Sequence, residues 1–115
     1  LRQTLDRSET ADALQRAFEL AGNVAPAPNS CAPLGEGWIA EEALAIAVYC
    51  LLGTEDVRTA LVAAVSHGGD SDSTGAIAGN LLGAAYGYDA LPAEWAARVE
   101  GHETMAALAA QLDDR

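Results

Sequence analysis

Residues His67 to Gly87 have the sequence HGGDSDSTGAIAGNLLGAAYG. Behind an acidic turn, glycine recurs at every fourth position, and this spacing places the glycines on one face of a helix. They are Gly75, Gly79, Gly83 and Gly87. Each glycine costs a helix about 1 kcal/mol relative to alanine, so we expect another backbone to approach this face closely. The stretch therefore predicts a buried helix in an all-α core.

Helical spacing of apolar residues extends over most of the remaining chain, where they recur at steps of three and four. Ser8 caps a predicted helix over residues 9–21, and a second covers residues 38–52. Thr54 caps a third over residues 55–66. A short helix follows from Pro92, and a last one begins at His102 or Glu103. We predict an all-α fold over residues 1–115, a compact orthogonal bundle of five or six helices in which residues 23–37 form a Pro-rich loop.

Several apolar side chains are expected to form the core of this bundle. The helix predicted over residues 38–52 is apolar on most of its faces, so it belongs in the middle of the bundle. Phe18 lies on the apolar face of the first helix. We expect Trp95 and Met105 to seal the core from the C-terminal side.

Composition excludes several classes of function. The net charge of −11 arises from 17 acidic residues against 6 basic ones, which disfavours binding to nucleic acid or to an anionic membrane. No apolar stretch approaches the roughly 18 residues that cross a bilayer, and we expect a cytoplasmic protein. Cys31 and Cys50 form neither a disulfide framework nor a metal motif. We expect Cys50 to be buried and Cys31 to be an ordinary loop thiol.

The acidic turn suggests a site for a hard divalent cation. Asp70 and Asp72, with a neighbouring hydroxyl group, follow two glycines that allow a sharp turn. Carboxylate and hydroxyl oxygens suit Mg²⁺, Mn²⁺ or Ca²⁺ better than zinc or copper. The competing interpretation is that Asp70 and Asp72 only cap the helix that follows. We expect His67 to compensate the helix dipole or to make a hydrogen bond rather than to bind the cation.

Two stretches together resemble one enzyme family. Residues 67–87 resemble the signature near the C-terminus of the ADP-ribosylglycohydrolase family, which includes the dinitrogenase reductase-activating glycohydrolase. Upstream, residues 34–51, LGEGWIAEEALAIAVYCL, resemble that family's G-x-G-W-x-x-E-E-A-L segment. The two stretches occur in the expected order. The resemblance implies that this bundle is the C-terminal part of the ADP-ribosylglycohydrolase fold.

The resemblance also implies a set of metal ligands. The residues that match the family's ligands are Asp70, Asp72 and Ser73, which would bind Mg²⁺ or Mn²⁺ in a site that holds two ions when intact. Ser73 stands where the family commonly has threonine, and Thr74 beside it leaves the identity of the hydroxyl ligand open. Family members are usually much longer and carry their first ligand cluster near the N-terminus. We therefore expect a C-terminal piece that holds half of the site, is inactive alone, and pairs with the N-terminal remainder or dimerises.

The function implied by the family is hydrolysis of the glycosidic bond that joins ADP-ribose to a modified protein or small molecule. Gly35, Gly37 and Trp38 are candidates for one wall of the ADP-ribose cleft. Alternatively, the glycines shape the entry to a helix and Trp38 is a core residue. No catalytic general base stands out, and although Glu36 lies beside the expected cleft, we do not expect it to act chemically.

Two functions of other classes remain open. The first is a non-catalytic structural role, because the family fold has been reused as a lens crystallin. The second is a helical interaction module in which the acidic turn is only a helix cap. The sequence does not distinguish between modified arginine, modified serine and free metabolites as substrates.

Overall fold

The computed structural model describes residues 8–113, and these contain helices and no strand. The six α-helices are α1 (Glu9–Asn23), α2 (Ala40–Gly53), α3 (Val57–Val65), α4 (Ser71–Tyr86), α5 (Ala93–Ala96) and α6 (His102–Asp113). Short 3₁₀ helices at Ala32–Leu34 and Tyr88–Ala90 interrupt the connections. The predicted all-α class is confirmed, whereas residues 1–7 and 114–115 of the predicted segment lie outside the described residues.

The helix boundaries follow local backbone chemistry. The Ser8 side chain caps α1 by accepting a hydrogen bond from the Ala11 N–H group at 2.9 Å, as predicted. Helix α1 continues past the expected stop at Gly22 to Asn23, whose side-chain amide donates to the Glu19 carbonyl oxygen at 2.7 Å. Helix α3 begins later than predicted because Thr54 has extended backbone angles, and Asp56 is the N-cap instead.

Helix α2 lies in the middle of the bundle, as its sequence predicts, and packs against α1, α3 and α4. Its buried residues are Ala43, Ala45, Ile46, Ala47, Tyr49 and Cys50. The Tyr49 hydroxyl group donates to the Val24 carbonyl oxygen at 2.9 Å and lies 2.8 Å from the Ser30 hydroxyl oxygen. These contacts attach the Pro-rich loop to the core.

The Pro-rich loop packs on the bundle along much of its length. The Asn29 N–H group donates to the Ser66 carbonyl oxygen at 2.7 Å, and Leu34 is buried. Cys31 is also buried, contrary to the expectation of an ordinary loop thiol, because the loop folds back onto the core. Burial raises the pKa of the Cys31 thiol. Burial likewise raises the pKa of Cys50, which is buried as predicted, to about 12.

The glycine face of α4 differs from the prediction. A Cβ atom added at Gly75 would lie 2.6 Å from a methyl carbon of Val65, so α3 approaches this position closely. At Gly79, Gly83 and Gly87, an added Cβ atom would meet nothing within 4 Å among the described residues. Within residues 8–113, no other element makes the predicted close approach at these three positions.

Three predicted core residues are exposed. Helix α1 contacts the core through Ala13 and Ala17, which leaves Phe18 51% exposed at the edge of that contact. None of the residues of α5 and α6 is buried. Trp95 and Met105 are therefore 39% and 51% exposed and do not seal the described core.

An arginine of α3 contacts the C-terminal segment. The Arg58 guanidinium group forms an ion pair with Glu94 and lies 4.7 Å from the centre of the Trp95 ring. This contact places α5 beside α3 and α4. No helix within residues 8–113 has the length and hydrophobicity needed to span a bilayer.

Candidate functional site

The turn between α3 and α4 is held in shape by His67. Its Nδ1 atom accepts a hydrogen bond from the Gly69 N–H group at 3.1 Å, which assigns the ring proton to Nε2. The Nε2 atom lies 2.9 Å from the Thr74 hydroxyl oxygen and 3.1 Å from the Ala64 carbonyl oxygen. Both ring nitrogens are therefore engaged within the turn, which confirms the prediction that His67 is a structural hydrogen-bonding residue.

Thr74 is buried beneath the same turn. Its hydroxyl group donates to the Ala64 carbonyl oxygen at 2.6 Å and lies 3.2 Å from the carbonyl oxygens of Asp70 and Ser71. A hydroxyl group engaged in this way belongs to the internal support of the turn. The structure therefore favours Ser73 over Thr74 as the hydroxyl group that accompanies the two carboxylates.

Asp70 and Asp72 lie together at the N-terminus of α4. A carboxylate oxygen of each accepts from the same Ser73 N–H group, at 3.4 Å for Asp70 and 3.1 Å for Asp72. A hydrogen bond with the Asp72 side chain, followed by one with the Ser73 side chain, lowers the pKa of Asp70. The lowered pKa favours the carboxylate form of Asp70, which is the form that binds a cation. Asp72 is exposed and Asp70 is partly exposed.

This arrangement is compatible with both interpretations of the acidic turn, as a helix cap and as a cation site. Asp70 is the N-cap of α4, as the structural interpretation requires. Because the positive end of the helix dipole repels cations, both carboxylates are needed to offset it. Among the described residues no group of three or more His, Cys, Asp and Glu side chains is arranged to hold a metal ion. The turn itself offers two carboxylates and one hydroxyl group.

The loop that contains Gly35, Gly37 and Trp38 lies directly against the acidic turn. The Asp70 N–H group donates to the Glu36 carbonyl oxygen at 2.8 Å. A Cβ atom added at Gly69 would lie 1.9 Å from that same oxygen, so only glycine fits there. The two stretches that resemble the family are thus joined at one place, through a contact that sequence reasoning did not predict.

The two glycines of this loop shape its path into α2. Gly35 and Gly37 have φ angles of 109° and 83°, a region that side-chain-bearing residues rarely adopt. The Glu42 carboxylate accepts from the Glu36 and Gly37 N–H groups at 3.2 and 3.1 Å. An added Cβ atom would collide with Glu42 at Gly35 and with the Thr74 methyl group at Gly37.

Glu42 is a positioning residue that sequence reasoning missed. It is the third residue of α2 and accepts from the N–H groups of Glu36 and Gly37, which lie before the helix, and not from that of the N-cap Ile39 as in a capping box. The sequence signal for this role is a glutamate in the first turns of the helix predicted over residues 38–52, shortly after the two glycines. The glycines and Glu42 therefore fit the interpretation that this loop shapes a helix entry.

The position of Trp38 does not completely match either interpretation of this residue, as part of a cleft wall or as a core residue. Its side chain is 66% exposed, so it is not a core residue. Its indole N–H group donates to a Glu36 carboxylate oxygen at 3.2 Å, which restricts the orientation of the ring. The structure thus presents an aromatic surface and a carboxylate on the loop that contacts Asp70.

An open groove of about 440 Å³ begins at the acidic turn. Its walls come from α3, α4 and α5, and they are mainly apolar. The residues that line it are Leu61, Val62, Val65, Ser66, Ser71, Asp72, Gly75, Ala76 and Trp95. The acidic turn is therefore accessible from solvent through this groove.

Comparison with known proteins places these features in context. The sequence profile described as ADP-ribosylglycohydrolase matches residues 1–115. The chain is 33% identical to human ADP-ribosylhydrolase ARH3 over 90 residues, which cover 69% of this chain and 25% of that protein. No solved structure matches the chain.

Two bacterial proteins are also similar to the chain. The ADP-ribosyl-[dinitrogen reductase] glycohydrolase of Rhodospirillum rubrum is 43% identical over 47 residues, 41% of this chain and 16% of that protein. The ADP-ribosylarginine hydrolase Tri1 of Serratia proteamaculans is 32% identical over 71 residues, 62% of this chain and 19% of that protein. The chain thus spans a quarter or less of the length of the curated relatives it matches.

Proposed function

The chain belongs to the ADP-ribosylglycohydrolase family, and we propose that it forms the C-terminal part of a metal-dependent enzyme that removes ADP-ribose from modified proteins or small molecules. The observation that carries this proposal is the acidic turn. Asp70 and Asp72 both accept from the Ser73 N–H group there, and His67 and Thr74 support the backbone of the turn. The names of the relatives, all hydrolases of ADP-ribosyl groups, support the reaction class.

The residues of the turn fit a hard divalent cation. Asp70 and Asp72 present carboxylate oxygens, and Ser73 adds a neutral oxygen. Such a donor set suits Mg²⁺ or Mn²⁺. When bound, an ion here supplies positive charge that orients and polarises the oxygen groups of a substrate. The resemblance to the family implies two such ions, of which this chain would hold its share.

The chain's own residues position the site. Glu42 holds the loop of Gly35 and Gly37, and the Glu36 carbonyl oxygen fixes the backbone of Asp70. The proposed reaction forms a bond between a water oxygen and the anomeric carbon of the ribose and breaks the glycosidic bond. One proton of the water then leaves, and the departing side chain gains a proton. We assign the general base to the remainder of the enzyme and not to Glu36.

The length of the relatives supports a shared site. Because the chain matches only 25% of human ARH3, we propose that further metal ligands and the rest of the cleft come from an N-terminal remainder. Gly35, Gly37 and Trp38 would then form one wall of the cleft, adjacent to Asp70. The chain alone is expected to be inactive.

Hydrolysis by the full-length protein tests this proposal. We expect release of ADP-ribose from an ADP-ribosylated peptide in the presence of Mg²⁺ or Mn²⁺, and a loss of at least about 100-fold in kcat/KM in an Asp70→Asn, Asp72→Asn double variant. Asparagine still caps helices, so the variant keeps the fold. Asp89→Asn, which removes one exposed carboxylate away from the turn, is the matched control. Equal activity in the double variant and the control would contradict the proposal.

A non-catalytic role is the second candidate, and one observation favours it. Asp70 already caps α4, so the turn has a structural use without any cation. A structural protein or a helical interaction module would require nothing more of this residue. In that case the full-length protein would fold normally and release no ADP-ribose from any of the substrates.

A further inference from the structure

A single peptide group connects Glu42 to the acidic turn. The peptide between Glu36 and Gly37 carries the Glu36 carbonyl oxygen and the Gly37 N–H group, which point in opposite directions from one plane. The Gly37 N–H group donates to the Glu42 carboxylate at 3.1 Å. On the other side, the Glu36 carbonyl oxygen accepts from the Asp70 N–H group at 2.8 Å. The Glu36–Gly37 peptide is therefore held by α2 on one side and by the N-cap of α4 on the other.

The Glu36–Gly37 peptide would rotate easily without these two hydrogen bonds. Gly37 has a φ angle of 83°, and glycine adopts positive and negative φ angles about equally readily. Rotation of the peptide plane would carry the Glu36 carbonyl oxygen away from Asp70. Because the peptide is planar, the same rotation would carry the Gly37 N–H group away from Glu42. The two hydrogen bonds are thus formed together or lost together.

The carboxylate of Glu42 is suited to hold this peptide in place. The oxygen that accepts from Gly37 also accepts from the Glu36 N–H group at 3.2 Å. Hydrogen bonds to a carboxylate are stronger than those between neutral groups. The missing side chain of Gly35 leaves room for the carboxylate, since an added Cβ atom would collide with it. Glu42 itself is half-buried in the first turn of α2, beside the buried Ala43, so its backbone is a rigid support.

We infer that Glu42 is a positioning residue for the cation site, because it fixes the Glu36–Gly37 peptide and thereby the backbone of Asp70. This inference rests on the proposed function and names a residue on which its cation site depends. Glu42 contacts neither the cation nor the substrate and acts only through the backbone. Residues that hold the ligands of a metal from behind contribute to its affinity, and their loss commonly weakens binding by about tenfold or more.

Three substitutions of Glu42 in the full-length protein separate the hydrogen bond from the charge. Glu42→Gln keeps an acceptor oxygen at the same reach, Glu42→Asp keeps the charge on a shorter side chain, and Glu42→Ala removes both. Calorimetric titration with Mn²⁺ should show affinity within about threefold of wild type for Glu42→Gln. Glu42→Asp and Glu42→Ala should each bind about tenfold more weakly.

Glu41 provides the matched control. It lies in the same first turn of α2 and is also half-buried, so Glu41→Ala removes the same charge from the same helix end. We expect Glu41→Ala to bind Mn²⁺ as wild type does. A Glu42→Gln variant that binds as weakly as Glu42→Ala, with Glu42→Asp unchanged, would show that the charge acts through space and would overturn the inference.

Hydrogen exchange of the Asp70 amide gives a second readout that needs no cation. Nuclear magnetic resonance of the full-length protein should show exchange at least about tenfold faster in Glu42→Ala and Glu42→Asp than in wild type. The Tyr49 amide, in the middle of α2, should keep its rate. Equal acceleration at Tyr49 would show a general loss of stability and overturn the inference, as would an unchanged rate at Asp70.

The outcomes distinguish this inference from the proposed function. Binding of Mn²⁺ by wild type that no Glu42 variant weakens would overturn the inference and leave the proposed function standing. No binding by wild type would overturn the proposed function. The exchange rate of the Asp70 amide would then decide whether Glu42 fixes the backbone of the turn.

Discussion

Gly69 joins the two sequence stretches of the candidate site. Its missing side chain lets the Glu36 carbonyl oxygen reach the backbone of the acidic turn, where it accepts from the Asp70 N–H group. Neighbouring Gly68 has open space around it. Two adjacent glycines therefore have different structural roles, although in the sequence both predict only a sharp turn.

Substitution at these two glycines tests the contact. Gly69→Ala would place a Cβ atom 1.9 Å from the Glu36 carbonyl oxygen, and we expect it to lower the free energy of unfolding by about 2–4 kcal/mol. Gly68→Ala is the matched control and should change the free energy of unfolding by less than about 1 kcal/mol. Urea unfolding followed by circular dichroism measures both. Equal stability of the two variants would show that the contact with Glu36 is not needed.

The site residues that could be predicted from the sequence are those that belong to a local sequence pattern. The spacing of Asp70, Asp72 and Ser73 is a local pattern, and so is the tendency of His67 to form hydrogen bonds near a helix end. The contact of Gly69 with Glu36 joins residues far apart in the chain and leaves no local pattern. Whether Gly35 and Gly37 contact a substrate or only shape the helix entry depends on that same contact, which explains why both interpretations stayed open.

At the scale of elements, α4 is the helix whose environment departs most from prediction. Its first glycine, Gly75, packs against Val65, but an added Cβ atom at Gly79 or Gly83 would meet nothing within 4 Å of the described residues. The helices themselves were predictable because their apolar spacing and caps are local. The element that packs on a glycine face was not predictable, because small residues indicate close approach without identifying the element that approaches. The proposed N-terminal remainder of the enzyme is our candidate for that element.

Alanine substitutions on α4 distinguish a free glycine face from a covered one. In this chain alone, Gly79→Ala and Gly83→Ala should each raise the free energy of unfolding by about 0.5–1 kcal/mol, because alanine is the better helix former. In the full-length protein, a backbone packed on this face would reverse the sign. Thermal unfolding of each variant in both contexts gives the answer. Stabilisation in both contexts would mean that nothing approaches α4 at these positions.

At the scale of the whole molecule, the described residues form a buried core at the centre of the bundle and an exposed C-terminal segment. Helix α2 and its neighbours form the core, whereas α5 and α6 contribute no buried residue and expose apolar side chains. These exposed residues include Met105, Leu108 and Leu112. Trp95 and Met105 were predicted to seal a core, and their apolar character fits contact with the proposed remainder of the enzyme. Pairing of two copies of the chain through this surface stays a prediction.

The central claim is that the acidic turn binds a divalent cation, and calorimetric titration of the full-length protein with Mg²⁺ and Mn²⁺ tests it most directly. We expect binding that is weakened at least about tenfold by Asp70→Asn, Asp72→Asn and is unchanged by Asp89→Asn. This chain alone should bind more weakly than the full-length protein, because it holds only part of the ligands. Binding of equal strength in the double variant, or no binding by the full-length protein, would contradict the account and leave Asp70 as a helix cap.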